Sequence, residues 1–130
     1  DGHPGEPWQV PKFYWTVMDG ESMAEALESI NEVELPDSWV RIPASALPFD
    51  LGHRIDAVID AQDSLPAKVA AMRAHQTQVT VEPSGRVFAL SNNIALPISP
   101  VEHYLLVDGA AGQRDDRGVE TDLLSGINLA

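Results

Sequence analysis

Three of the chain's aromatic residues stand side by side in the run Lys12-Phe13-Tyr14-Trp15-Thr16-Val17, although aromatics make up only 6% of the sequence. Aromatic and β-branched side chains suit a pleated, half-buried surface, so this run predicts a strand. Side chains alternate between the two faces of a strand, and here both faces receive apolar groups. That pattern predicts a strand covered on both sides, as in a parallel sheet. A strand of this kind cannot stand alone, so the remaining sequence has to supply neighbours and a covering layer.

The rest of the chain alternates helical and extended signals. Residues 22–30 place Met23, Ala26, Leu27 and Ile30 on one stripe, with Glu21, Glu25 and Glu28 on the other side, which predicts an amphipathic helix with its acids near the N-terminus. Between Leu35 and Gly52, prolines and scattered apolar residues (Trp39, Val40, Ile42, Leu47, Phe49) predict an irregular connector that packs without long regular structure. Arg54–Asp60 alternates imperfectly, as a strand would. Lys68–Gln78 reads as a helix capped by Asp63 or Ser64, with Pro66 in its first turn, where a missing N–H costs little. Glu82–Gly85 forms a turn, Arg86–Ile98 is apolar but broken by Ser91, Asn92 and Asn93, and Glu102–Val107 is a short strand. Asp108–Gly118 is a polar loop, and the sequence returns to apolar residues after it. The expected class is α/β, with one core for 130 residues. The chain starts at Asp1 rather than Met, and it is expected to be part of a longer protein.

Charge narrows the partners. The formal net charge is −12, with 20 acidic and 8 basic residues. Nucleic-acid binding depends on cations that displace counterions from phosphates, so neither nucleic acid nor an anionic membrane is expected as a partner. There is no cysteine. Disulfides and thiolate chemistry are therefore excluded, and a reducing cytoplasm is compatible. No apolar run reaches the roughly 20 residues of a membrane span.

Residue chemistry alone yields no active site. His3, His53, His75 and His103 are solitary, without a spacing that would bring two of them onto one metal. His3-Pro4-Gly5 lacks the aspartates of a hydrolytic zinc motif and reads as a turn. Asp115 and Asp116 lie between arginines in a glycine-bounded loop, where a solvated charge cluster is expected. Ser91 has no nucleophile-elbow frame, and no glycine stretch has the setting of a phosphate loop.

Four ordered blocks carry a resemblance: His3–Val17, Ala67–Val79, Leu90–Ile98 and Glu102–Ile127. Together they resemble the C-terminal part of the zinc-dependent N-acetylglucosaminyl-phosphatidylinositol de-N-acetylase-like family, in particular its mycothiol-biosynthesis deacetylases. The likeness is weakest between about Met18 and Leu51. It implies the C-terminal part of a Rossmann-like fold, a strand of the parent sheet followed by a small α/β portion. Residues 1–17 would end the Rossmann-like part and 18–130 would form a substrate-pocket portion. The implied reaction is hydrolysis of the acetamide of N-acetylglucosaminyl-inositol, in the cytoplasm.

The family's metal ligands and general base lie in A-H-P-D-D-E and H-P-D-H motifs, and this sequence contains neither. The resemblance therefore implies zinc in the parent enzyme but none bound by this segment alone, with an N-terminal, metal-binding half as its partner and no activity in isolation. A related mycothiol-conjugate amidase and a non-catalytic binding domain are the alternative readings. His75 and Gln78, on the last turn of the Lys68–Gln78 helix, are the substrate-binding candidates that the resemblance suggests. The competing reading of both is a hydrogen-bonded helix terminus.

Overall fold

In the computed structural model, residues 5, 8–48 and 50–127 are described. The prediction for His3, and the one for Phe49 in the connector, fall outside them. The chain is mixed α/β, with two helices and two small antiparallel sheets.

The aromatic run forms strand β1, Lys12–Val17. Its partner is not parallel. β1 pairs antiparallel with β6 (Val101–Gly109), which also pairs antiparallel with β2 (Ala57–Asp60), so β1 lies at the edge of a sheet ordered β1-β6-β2. Nor is β1 covered on both faces, because Phe13 and Trp15 remain 51% and 53% exposed. The strand is two-faced for a different reason: Lys12 and Tyr14 turn to the opposite side, where both bind one carboxylate. The register shifts between Phe13 and Tyr14, whose partners are Asp108 and Leu106, leaving Val107 as an extra residue on β6.

Helix α1, Gly20–Ser29, starts where Asp19 accepts a hydrogen bond from the Ser22 amide at 2.8 Å. Its C-terminal carbonyls have no basic residue in their own last turn. Arg41, from the following connector, donates to the carbonyls of Ile30, Asn31 and Val33 instead. The apolar stripe of α1 then closes on the second sheet, formed in order by β3 (Thr80–Val81), β4 (Val87–Ala89) and β5 (Leu96–Pro97). Leu27, Ile30 and Val33 pack with Val87 and Ala95 into the main core. The connector contributes Leu35, Trp39, Ala44 and Leu47 to its rim, and Val40 bridges to Ile94. It is irregular except for a single 3-10 turn at Ala44–Ala46.

Helix α2 is shorter than its sequence suggested. It runs over Leu65–Ala74 and ends with His75 as its C-terminal cap. Neither Asp63 nor Ser64 caps it by a side chain. A 3-10 turn at Gln62–Ser64 feeds the helix instead, itself opened by the Asp60 carboxylate, which accepts from the Gln62 amide. Asn92 accepts from the Ile94 amide and Asn93 adopts φ 57°, so the polar interruption after β4 is a turn.

Three carboxylates are sealed in the structure. Glu120 is fully buried, receiving hydrogen bonds from Lys12 Nζ (2.5 Å), Tyr14 Oη (2.7 Å) and the Gly112 amide (2.6 Å). Asp56 accepts from Arg54 and from the Leu106 amide of β6. Glu82 accepts from the amides of Ser84, Arg86 and Val87 and so holds the β3–β4 turn closed. No buried side-chain polar atom among the described residues lacks a partner.

Candidate functional site

A cleft of about 370 Å³ opens at the end of the first sheet where β1 finishes and β6 begins. Six elements line it, since Phe88 of β4 and Pro97 of β5 join residues of β1, α1, α2 and β6. Thr16–Asp19 leads β1 into α1, Val101–Tyr104 starts β6, Lys68 and Met72 project from α2, and Met23 comes from the first turns of α1. Its size falls within the range of small-molecule pockets, and its walls are mainly apolar with a few convergent polar groups.

The polar groups form one connected set. Lys68 Nζ donates to Glu102 Oε1 at 3.0 Å and to the Ser99 carbonyl at 2.9 Å. Tyr104 Oη donates to the other oxygen, Glu102 Oε2, at 2.6 Å. Strand alternation explains the second pair, since residues 102 and 104 share a face of β6. The Tyr104 hydroxyl, and then Lys68, hold the Glu102 carboxyl below its usual range. The same hydrogen bond to Glu102, reinforced by burial, pushes the Tyr104 phenol up to about 12. Glu102 is thus an ionised acceptor with both oxygens occupied, and Tyr104 stays a donor across the physiological range. Asp19 at the cleft edge is held low by its hydrogen bonds to Ser22, with a smaller contribution from His103.

This arrangement can orient a polar ligand, but it does not assemble a hydrolytic centre. No three His, Cys, Asp or Glu side chains come together as a metal site among the described residues. His53 lies in the irregular stretch before β2, His75 caps the C-terminus of α2 and His103 belongs to β6. The described residues do not fit a zinc ion. Asp115 is engaged by Arg117, at 2.8 Å from its Nε, and by the Val119 amide, as expected of a surface charge cluster.

The two substrate-binding candidates lie outside the cleft. His75 is exposed, and its Nδ1 sits 2.8 Å from the Ala71 carbonyl. Gln78 is exposed in the turn after α2, and its backbone amide donates to the His75 carbonyl at 3.0 Å. From the same helix it is Lys68 and Met72 that reach the cleft. The 3.6-residue periodicity had put Lys68, Met72 and His75 in one row. The row breaks because the helix stops at Ala74. Glu102 and Tyr104 had no motif to announce them, and their signal was only the period-two spacing of two polar side chains within an apolar strand.

No family profile matches the chain. Individual relatives do. The 1D-myo-inositol 2-acetamido-2-deoxy-alpha-D-glucopyranoside deacetylase of Mycolicibacterium smegmatis is 57% identical over 123 residues, which cover 94% of this chain and 42% of the relative. It matches such deacetylases along nearly its whole length. The enzyme of the same name from Mycobacterium sp. strain JLS is 57% identical over 95% of the chain and 40% of the relative. That from Mycobacterium bovis BCG is 50% identical over 98% of the chain and 43% of the relative. The chain thus spans about two fifths of the length of the deacetylases it matches.

Proposed function

We propose that this chain is the C-terminal part of a deacetylase acting on an N-acetylglucosaminyl-inositol in mycothiol biosynthesis, a cytoplasmic step. One observation carries the reading: identity of 57% sustained over 94% of the chain to an enzyme of that name. In this reading, residues 1–17 end the Rossmann-like part of the parent enzyme and 18–130 build its substrate-pocket portion. Because β1 and β6 share one sheet, these two parts would meet inside a hydrogen-bonded ladder rather than across a linker.

The parent enzyme would hold zinc through the portion not present here, and that ion would supply the Lewis acid for amide hydrolysis. This chain's contribution would be to shape and orient. Lys68, Glu102 and Tyr104 fix one wall of the cleft, and the hydroxyl-rich substrate would meet donors and acceptors already set by that network. His75 and Gln78 would face the substrate in the complete enzyme. Their exposure supports this, because neither side chain is committed to the interior of this chain.

The decisive experiment joins this chain to the portion of the M. smegmatis deacetylase that it does not match and assays acetate release from N-acetylglucosaminyl-inositol. The joined protein should deacetylate, and the 130-residue chain alone should neither deacetylate nor bind zinc with micromolar affinity. Turnover by the chain alone, or a joined protein that hydrolyses only a mycothiol-conjugate amide, would refute the reading.

A further inference from the structure

Helix α2 is held in place by charged side chains more than by burial. None of its residues is buried, and Leu65, Val69 and Met72 are only half-buried. A surface helix is ordinarily fixed by an apolar stripe packed into the core, and this one has no such anchor. Two long cations supply it. Near the start of the helix, Lys68 reaches the first sheet through Glu102 and the Ser99 carbonyl. Near its end, Arg73 Nη2 donates to the carbonyls of Pro83 at 2.9 Å and Glu82 at 3.3 Å, in the turn that joins β3 to β4 of the second sheet. The helix thus braces the two sheets. Gly85, at φ 76° in the same turn, comes so close to α2 that a Cβ there would stand 3.1 Å from Val69 Cγ1.

These contacts enclose the His75–Gln78 segment. It leaves α2 just after Arg73 and returns through Val79 into β3, and the Arg73 side chain ties its two limbs together at the base. Within the loop, the amides of Gln78 and Val79 both donate to the His75 carbonyl at 3.0 Å. The backbone is therefore fixed at both ends while the side chains of His75 and Gln78 stay exposed. A binding group held in place before its ligand arrives loses less conformational freedom on binding. We propose that Arg73 is a positioning residue for substrate binding. It lies outside the cleft, and through the carbonyls of Glu82 and Pro83 it holds the loop in the orientation in which Gln78 meets the sugar-inositol, with Lys68 fixing the other end of the helix. The inference rests on the reading of this chain as part of a deacetylase whose Gln78 faces the substrate.

The test is made in the joined deacetylase with Arg73→Met, which keeps an unbranched stem and removes both hydrogen bonds, with Arg73→Lys, and with Gln78→Ala. Arg73→Met should raise KM about three- to tenfold and leave kcat within about twofold, the signature of lost ground-state binding. Arg73→Lys should recover most of the loss. Added to Gln78→Ala, Arg73→Met should cost nothing further, because a loop without its binding group has nothing left to position. Hydrogen–deuterium exchange of the 75–79 amides should quicken about tenfold in Arg73→Met while β6 stays protected. Circular dichroism checks the fold, and Arg73→Gln serves if Arg73→Met misfolds. Unchanged KM, full additivity with Gln78→Ala, unaltered exchange, or a lowered melting temperature as the sole defect overturns the inference. A joined wild-type protein that binds N-acetylglucosaminyl-inositol yet releases no acetate refutes the proposed activity alone, and the same cycle is then read on Kd. One that does not bind it overturns both.

Discussion

Lys12 Nζ lies 2.5 Å from Glu120 Oε1, closing a contact between positions 108 residues apart with almost no solvent reaching either side chain. Burial pushes the Glu120 carboxyl up, but the hydrogen bonds from Lys12, the Gly112 amide and Tyr14 outweigh it and hold the group below its usual range. Burial also pushes the Lys12 amine down, and its bonds to Glu120 and Tyr14 more than reverse this. A buried charge is tolerated when it is paired and hydrogen-bonded, as the Lys12–Glu120 pair is through Tyr14 and the Gly112 amide.

Removing one partner should therefore cost much more than removing both. Glu120→Ala is expected to destabilise the fold by about 3–5 kcal/mol, because it strands a buried ammonium. Lys12→Met combined with Glu120→Leu should lose markedly less. Urea denaturation midpoints of the three proteins check this, and equal losses from the single and double changes would contradict the pairing.

Acid should unfold the protein through the same carboxylates. Glu120, Glu82 and Asp56 all have folded values below their ordinary ones. Hydrogen bonding to Arg54 leads for Asp56, and turn amides together with the Ser84 hydroxyl outweigh burial for Glu82. A depressed carboxylate stabilises the fold above its unfolded value, near pH 4, and that stability disappears as pH falls through the folded value. Denaturation midpoints should be flat from pH 7 to about 5 and drop steeply below pH 4. Glu82→Gln should make the drop shallower.

At the alkaline end the two tyrosines decide. Tyr104 is pushed up to about 12 by Glu102 and by burial, and Tyr14 is raised chiefly by burial. A raised phenol contributes stability that is complete below its unfolded value, about 10, and is lost as pH rises through the folded value. Absorbance at the phenolate band should show little ionisation at pH 10.5 in the folded protein and a normal titration in urea. Tyr104→Phe should remove the later phase and cost about 1.5–3 kcal/mol, the range for a hydrogen bond to a charged group.

In the joined deacetylase, Gln78→Ala should lower kcat/KM on the order of ten- to a hundred-fold if the amide meets the substrate, the equivalent of about 1.4–2.7 kcal/mol. Thermal stability should barely change, because Gln78 lies beyond α2 and is exposed. His75→Ala should follow it. A lowered melting temperature with unchanged kcat/KM would return both to the role of helix terminus, for which the His75–Ala71 contact is already in place.

Elements with a strong local signal were legible in the sequence. The stripe Met23, Ala26, Leu27 and Ile30 announced α1, and the density of aromatic and β-branched residues announced β1. What pairs with β1 was not legible, because a strand's sequence records which faces are apolar and not which distant segment supplies the ladder. Two-sided apolarity predicts a parallel setting, whereas Tyr14 sends its hydroxyl to Glu120 and Phe13 and Trp15 face outward. Glu120 left no trace at all, since an acid following a polar loop normally signals solvent. Its meaning depends on a lysine more than a hundred residues earlier. At the cleft, Lys68 lies in the helix that the sequence predicts, but its partner Glu102 stands 34 residues away and meets it only through the packing of α2 against β6.

The Lys12–Glu120 contact also sets a clock on synthesis. At about 5–20 residues per second, Lys12 leaves the ribosome roughly 5–20 s before the glutamate that neutralises it. β6, which pairs with β1, emerges only shortly before that glutamate. Over this interval the nascent strand has neither its ladder nor its counter-charge, and Phe13 and Trp15 stand in water. A chain stalled short of β6 would keep this strand bare. Only when Glu120 follows β6 is the Lys12 charge neutralised and the ladder in place.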